Sequence, residues 1–136
     1  MNHAITAEIY WTTLTILMTA LFWMPYIIDR ILEHGLWTAV SNPQPDTPPK
    51  SAWAGRMMKG HRNAVENLAI FAPLALAVSF TGVGTSATAT ACIVYFFARL
   101  AHFLIYTLGI PLMRTLTFFI GFVCQVVLAL ALINAA

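Results

Sequence analysis

The sequence predicts an all-α integral membrane protein, a bundle of four transmembrane helices, on three observations. Sixty per cent of its 136 residues are apolar and only 9% are charged, against roughly 25% in a typical soluble domain. Mean hydropathy is +0.77, so too few charges remain to cover a water-facing surface. The apolar residues also gather into four runs, each close to the length of about 20 residues that a spanning helix needs. A net charge of +2 with no basic run argues against a nucleic-acid partner.

The first helix is predicted over about 5–28, with Tyr10 and Trp11 at one end and Trp23 and Tyr26 near the other, as aromatic belts require. It has the position of a signal peptide, but Met1-Asn2-His3 carries no Lys or Arg, Glu8 follows, and no small-residue cleavage site is present. It therefore reads as a retained helix. A segment over 35–55 holds Pro43, Pro45, Pro48 and Pro49, a density that prevents helix and predicts an extended, semi-rigid loop. The second helix is predicted over about 60–80. The tight turn Thr81-Gly82-Val83-Gly84 joins it to a third, over about 85–108. A short connection at Gly109-Ile110-Pro111 leads to the fourth, over about 112–133. Pro25 and Pro73 fall inside apolar runs, where each removes a backbone donor. There is no internal repeat, and a single domain over 1–136 is expected.

All seven basic residues lie on one side of this topology. Arg30, Lys50, Arg56, Lys59 and Arg62 lie in or near the first connection, and Arg99 and Arg114 flank the third. The positive-inside rule then places the first and third connections in the cytoplasm and both termini outside. The lack of organelle signals in so minimal a chain fits a bacterial inner membrane.

A charge at the centre of a membrane helix costs about 2.5–3.5 kcal/mol and is usually paired or kept for function. On the third helix Arg99, His102 and Tyr106 are spaced i, i+3, i+7 and share one stripe. On the second, Lys59, Asn63 and Glu66 share another, with Arg62 beside them. Counted from the tight turn at about 1.5 Å per residue, Glu66 and Arg99 both lie roughly 21–23 Å away. Antiparallel packing across so short a turn predicts a buried Glu66–Arg99 ion pair, with Asn63 level with His102. Three roles stay open for this cluster. It can be a structural polar lock that fixes helix register. It can be a site for an anionic polar ligand such as a peptide, because Arg62, Arg99 and Arg114 exceed what Glu66 neutralises. It can also be a proton relay or transport site. A metal site is disfavoured: His61, His102 and Glu66 lack any HxxxH or HExxH spacing. Cys92 and Cys124 sit in apolar runs without Cys-x-x-Cys spacing and read as small buried hydrophobes.

The stretch from Gly60 through His61-Arg62-Asn63-Ala64-Val65-Glu66-Asn67 to Phe71, Pro73 and Leu74 resembles the helix-two signature of the MAPEG family, the membrane-associated proteins in eicosanoid and glutathione metabolism. Arg99-Leu100-Ala101-His102-Phe103-Leu104-Ile105-Tyr106 resembles its helix-three motif, and the long first loop with Asn42-Pro43 agrees. The resemblance covers most of the chain. It implies a homotrimer that binds glutathione, as co-substrate, between neighbouring subunits near the cytoplasmic face. It further implies transfer of the thiol to a lipophilic small molecule from the bilayer, or reduction of a lipid hydroperoxide. By position, Arg62, Asn63 and Glu66 on helix two and Arg99, His102 and Tyr106 on helix three would hold the tripeptide. Arg114 would stabilise its thiolate, with Thr115 as a neighbouring hydroxyl donor, and Arg30 would reach in from the adjacent subunit. The chain departs from the family after Arg114, where Phe118, Phe119 and Phe122 stand in place of polar or tyrosyl groups. Eicosanoid synthesis is therefore not implied. The competing reading is a non-enzymatic membrane subunit or scaffold whose polar cluster is structural.

Overall fold

The computed structural model describes residues 4–42 and 48–136. Met1–His3, Asn42's neighbour Pro43, and Pro45 lie outside the described residues. Six helices run in order: α1 (Ala7–Leu21), α2 (Met24–His34), α3 (Leu36–Val40), α4 (Ala52–Thr81), α5 (Ser86–Leu108) and α6 (Pro111–Ile133). Four helical segments, α1 with α2, α4, α5 and α6, are long and apolar enough to cross a membrane. The protein is therefore all-helical, with the fold of a multi-pass membrane protein.

The first span is interrupted. Pro25 has no N–H to give to Leu21, so α1 ends at Leu21 with Phe22 bonded back to the Thr19 carbonyl at 3.2 Å. Both Phe22 and Trp23 keep right-handed helical angles, and α2 resumes at once. The second span begins at Ala52, eight residues before the position that hydropathy picks out. Arg56 and Lys59, which precede the predicted start at 60, thus stand on helix with Arg62. The segment between α2 and α4 also includes the short helix α3, which ends before the prolines.

The turns are built where the chain reverses. Gly82 ends α4 at φ +72°, a left-handed cap that only glycine adopts without strain. Thr85 and Thr88 then start α5 with a reciprocal capping box. Gly109, at φ +78°, closes α5, and Pro111 opens α6 at a position where its missing N–H costs nothing. These tight turns pack α4, α5 and α6 side by side.

Burial follows membrane logic and not the soluble pattern. The buried residues of α1 are all polar: Glu8, Thr12, Thr15 and Thr19, spaced i, i+4, i+7, i+11 on one stripe. Small hydroxylated side chains let α1 approach α4 and α5 closely. The Thr15 and Thr19 hydroxyls donate to the carbonyls one turn back, both at 2.8 Å. Glu8 accepts a hydrogen bond from Thr88 Oγ1 at 2.6 Å, beside the electropositive first turn of α5. One apolar cluster, with Phe71 stacked on Tyr95 at 3.7 Å, fills the bundle toward the α4–α5 turn. A second, with Phe22 stacked on Phe103 at 3.6 Å, lies toward the basic end.

Candidate functional site

Toward the basic end, α4, α5 and α6 enclose a cleft of about 260 Å³ lined by Asn63, His102, Tyr106, Arg114, Thr115 and Phe118. Gly60 makes it possible for α4 to come so near α5. A Cβ placed there would lie 3.4 Å from the Cβ of Tyr106, so Tyr106 packs directly on bare backbone.

Arg99 sits behind the cleft, 2% exposed. Its Nη2 donates to Asn63 Oδ1 at 2.5 Å, while Nε and Nη1 have no partner among the described residues. The predicted Glu66–Arg99 ion pair does not form: Glu66 is exposed and Asn63 takes its place. Depth alone does not decide the contact; azimuth does. At about 100° per residue, Glu66 points roughly 160° from the mean direction of the buried residues of α4, which run from Ala54 to Val78. Asn63 is turned by only about 100° and meets the guanidinium as it reaches toward the basic end.

His102 is buried and held from α6. Its Nδ1 lies 3.0 Å from the Arg114 carbonyl and 3.2 Å from Thr117 Oγ1. A carbonyl oxygen only accepts, so Nδ1 carries the hydrogen and Nε2 of the neutral ring presents a bare lone pair. That Nε2 is buried without a partner among the described residues. An acceptor on His102, which lines the cleft, thus stands near unpaired N–H donors on Arg99 behind it.

Arg114 brings a second cation. Its guanidinium lies 4.8 Å from the centre of the Tyr106 ring, which orients it by a cation–π contact. Tyr106 in turn meets His102 edge-on at 5.6 Å. Thr115 lines the cleft with its hydroxyl 3.4 Å from the Pro111 carbonyl.

The structure thus brings together Asn63, Arg99, His102, Tyr106, Arg114 and Thr115. It leaves Arg62 and Glu66 exposed on the outer face of α4, and Arg30 on α2, away from the cleft lining. Sequence reasoning missed Gly60, Thr117 and a deeper polar pair. Gln125 on α6 donates to the Asn67 carbonyl and Oδ1 at 3.3 and 3.4 Å. Its signal was available, since Gln125 is a polar residue alone in an apolar run. Thr117, one hydroxyl among several, carried none. Among the described residues no three His, Cys, Asp or Glu side chains converge as a metal site.

The MAPEG family model matches residues 9–134, nearly the whole chain. No curated protein and no solved structure matches it.

Proposed function

Because this chain belongs to the MAPEG family, a family of membrane proteins of glutathione and eicosanoid metabolism, we propose that it is a glutathione-dependent membrane transferase with peroxidase-like capacity. It would join the glutathione thiol to lipophilic electrophiles drawn from the bilayer, or reduce lipid hydroperoxides. The observation that carries this reading is the cleft between α4, α5 and α6, where Arg114 and His102 line the wall and the buried Arg99 stands behind Asn63.

The chemistry suits a small anionic peptide. Arg99 has donors to spare for a carboxylate, and a buried donor left unpaired is costly, so a ligand oxygen there gains more than it would in water. His102 Nε2 can accept from an amide N–H or an ammonium. A thiol of pKa near about 8.5 is mostly protonated at neutral pH, and a cation beside it favours the thiolate. Arg114 is the only basic residue on α6 and is aimed across Tyr106, so it is the group assigned to the sulfur, with Thr115 beside it. The thiolate then attacks the electrophile and forms the carbon–sulfur bond. It either expels the leaving group as its anion or, in an addition, opens the carbon–carbon π bond to a carbanion that takes a proton from water. With a hydroperoxide it attacks the distal oxygen instead: the O–O bond breaks, and the alkoxide takes a proton and leaves as the alcohol. The glutathione sulfenic acid then condenses with a second glutathione to the disulfide and water. Phe118 forms an apolar wall to the cleft, suited to a lipophilic partner.

The same reading takes the active form to be a homotrimer, with Arg30, Arg62 and Glu66 facing the cleft of an adjacent subunit. It places the basic end in the cytoplasm of a bacterial inner membrane. The test is thiolate formation. Purified protein with glutathione should develop the ultraviolet absorbance of the thiolate, and Arg114→Ala should lose it while still binding the tripeptide. Absence of binding by the wild type at millimolar glutathione would leave a scaffold whose polar cluster is structural.

A further inference from the structure

We propose that the corner between α2 and α3 is an interfacial anchor, seated in the headgroup layer of the leaflet at the basic end. Leu32, Leu36, Trp37 and Val40 enter lipid there. The proposal is independent of the reaction assigned above.

The occupant is argued from continuity. Along α1, the residues opposite the buried Glu8–Thr19 stripe are apolar and exposed: Tyr10, Leu17 and Leu21. The stripe does not stop at the Pro25 break. Because Phe22 and Trp23 keep helical angles, Met24, Ile28 and Leu32 follow on the same azimuth at steps of three and four residues. One apolar band therefore runs along the outside of the first span, and it passes without a polar gap into Leu36, Trp37 and Val40.

Depth places the end of that band. From Ala7 to His34 is 28 residues, about 42 Å of helix, whereas the hydrocarbon layer is about 30 Å thick and about 40–45 Å with its headgroups. The last two turns of α2, and α3 after them, therefore emerge among headgroups. Leu32 and Trp37 are each 82% exposed at that level. Tryptophan favours this layer because its ring is apolar and its indole N–H finds a polar partner there.

The polar side of α2 is already taken by the protein, which fixes the side left outward. Asp29 accepts from the Ser51 hydroxyl at 3.1 Å, Glu33 from the Lys50 backbone N–H at 2.9 Å, and Tyr26 pairs with His61 Nδ1 at 2.8 Å. These bonds hold α2 against the start of α4, so its apolar side faces away from the bundle. A short apolar segment with tryptophan, beside the basic residue Lys50, whose backbone bonds to Glu33, is the composition of a monolayer anchor.

Fluorescence of Trp37 tests this. In the full chain with Trp11, Trp23 and Trp53 replaced by Phe, reconstituted in phosphatidylcholine vesicles, emission should be shifted to the blue of free tryptophan. It should be quenched when the acyl chains are brominated, with loss of quenching by iodide. Unshifted emission that iodide quenches would put Trp37 in water. Protection from both quenchers would put it against protein, such as a second copy. Either result overturns the anchor. Should the triple variant not fold, a nitroxide on Thr38→Cys in the otherwise native chain serves, since Cys92 and Cys124 are buried. The label should relax faster with oxygen than with a water-soluble nickel chelate, and the reverse order overturns the proposal.

Discussion

At the scale of single residues, the cleft is governed by which buried polar atoms have partners. Among the described residues Arg99 keeps one hydrogen bond, to Asn63, and removing that partner leaves a buried cation with none of these. Asn63→Ala should lower stability in detergent by about 1–3 kcal/mol, read from thermal or denaturant unfolding. Combined with Arg99→Met, the loss should be smaller than the sum of the two single losses, because the deserted charge is gone. Glu66→Gln with Arg99→Met should be additive instead, since these side chains face different surroundings. His102 permits a finer test. His102→Asn keeps a donor near the Arg114 carbonyl and drops the Nε2 acceptor. The fold should survive, and glutathione affinity by calorimetry should fall roughly two- to twelvefold, as loss of one neutral hydrogen bond of about 0.5–1.5 kcal/mol implies.

At the scale of elements, what the sequence carried was period and depth, and what it lacked was direction. The stripe Arg99, His102, Tyr106 was readable because helical spacing fixes a shared face whatever surrounds it. The level of Asn63 with His102 was readable because a two-glycine turn pins both helices to one origin. The partner of Arg99 was not, since depth says nothing of azimuth and a guanidinium reaches most of a helical turn along the axis. The start of α4 was hidden for another reason: hydropathy finds the lipid-buried length, and Ala52–Lys59 is helix that projects past it. Nor did the glycine pattern reveal Gly60, whose role appears only once Tyr106 is seen resting on it. Gly60→Leu should push Tyr106 aside and weaken glutathione binding, at an overpacking cost of about 1–3 kcal/mol. Gly55→Ala, 3.7 Å from a Pro49 ring carbon, should leave binding unchanged in the same titration.

At the scale of the whole molecule, the exposed face of α4 cannot be left as the single chain presents it. Glu66 lies about 22 Å from the α4–α5 turn, inside a hydrocarbon layer of about 30 Å, yet it is exposed. A charge facing lipid at that depth carries a penalty of about 2.5–3.5 kcal/mol on insertion scales. Arg62 stands on the same face one turn nearer the basic end, and Asn63, which is only half-buried, borders it. A neighbouring copy seated there would remove the penalty and close the open side of the cleft at once. The protein should therefore run as a homotrimer in native mass spectrometry from mild detergent. Glu66→Leu should retain or tighten that assembly while weakening glutathione binding, because the carboxylate is assigned to the ligand and not to subunit contact. A wild type that stays monomeric across detergents would remove the physical reason for a site shared between subunits. The cleft would then have to bind its ligand within one chain, with Glu66 left to snorkel toward the headgroups.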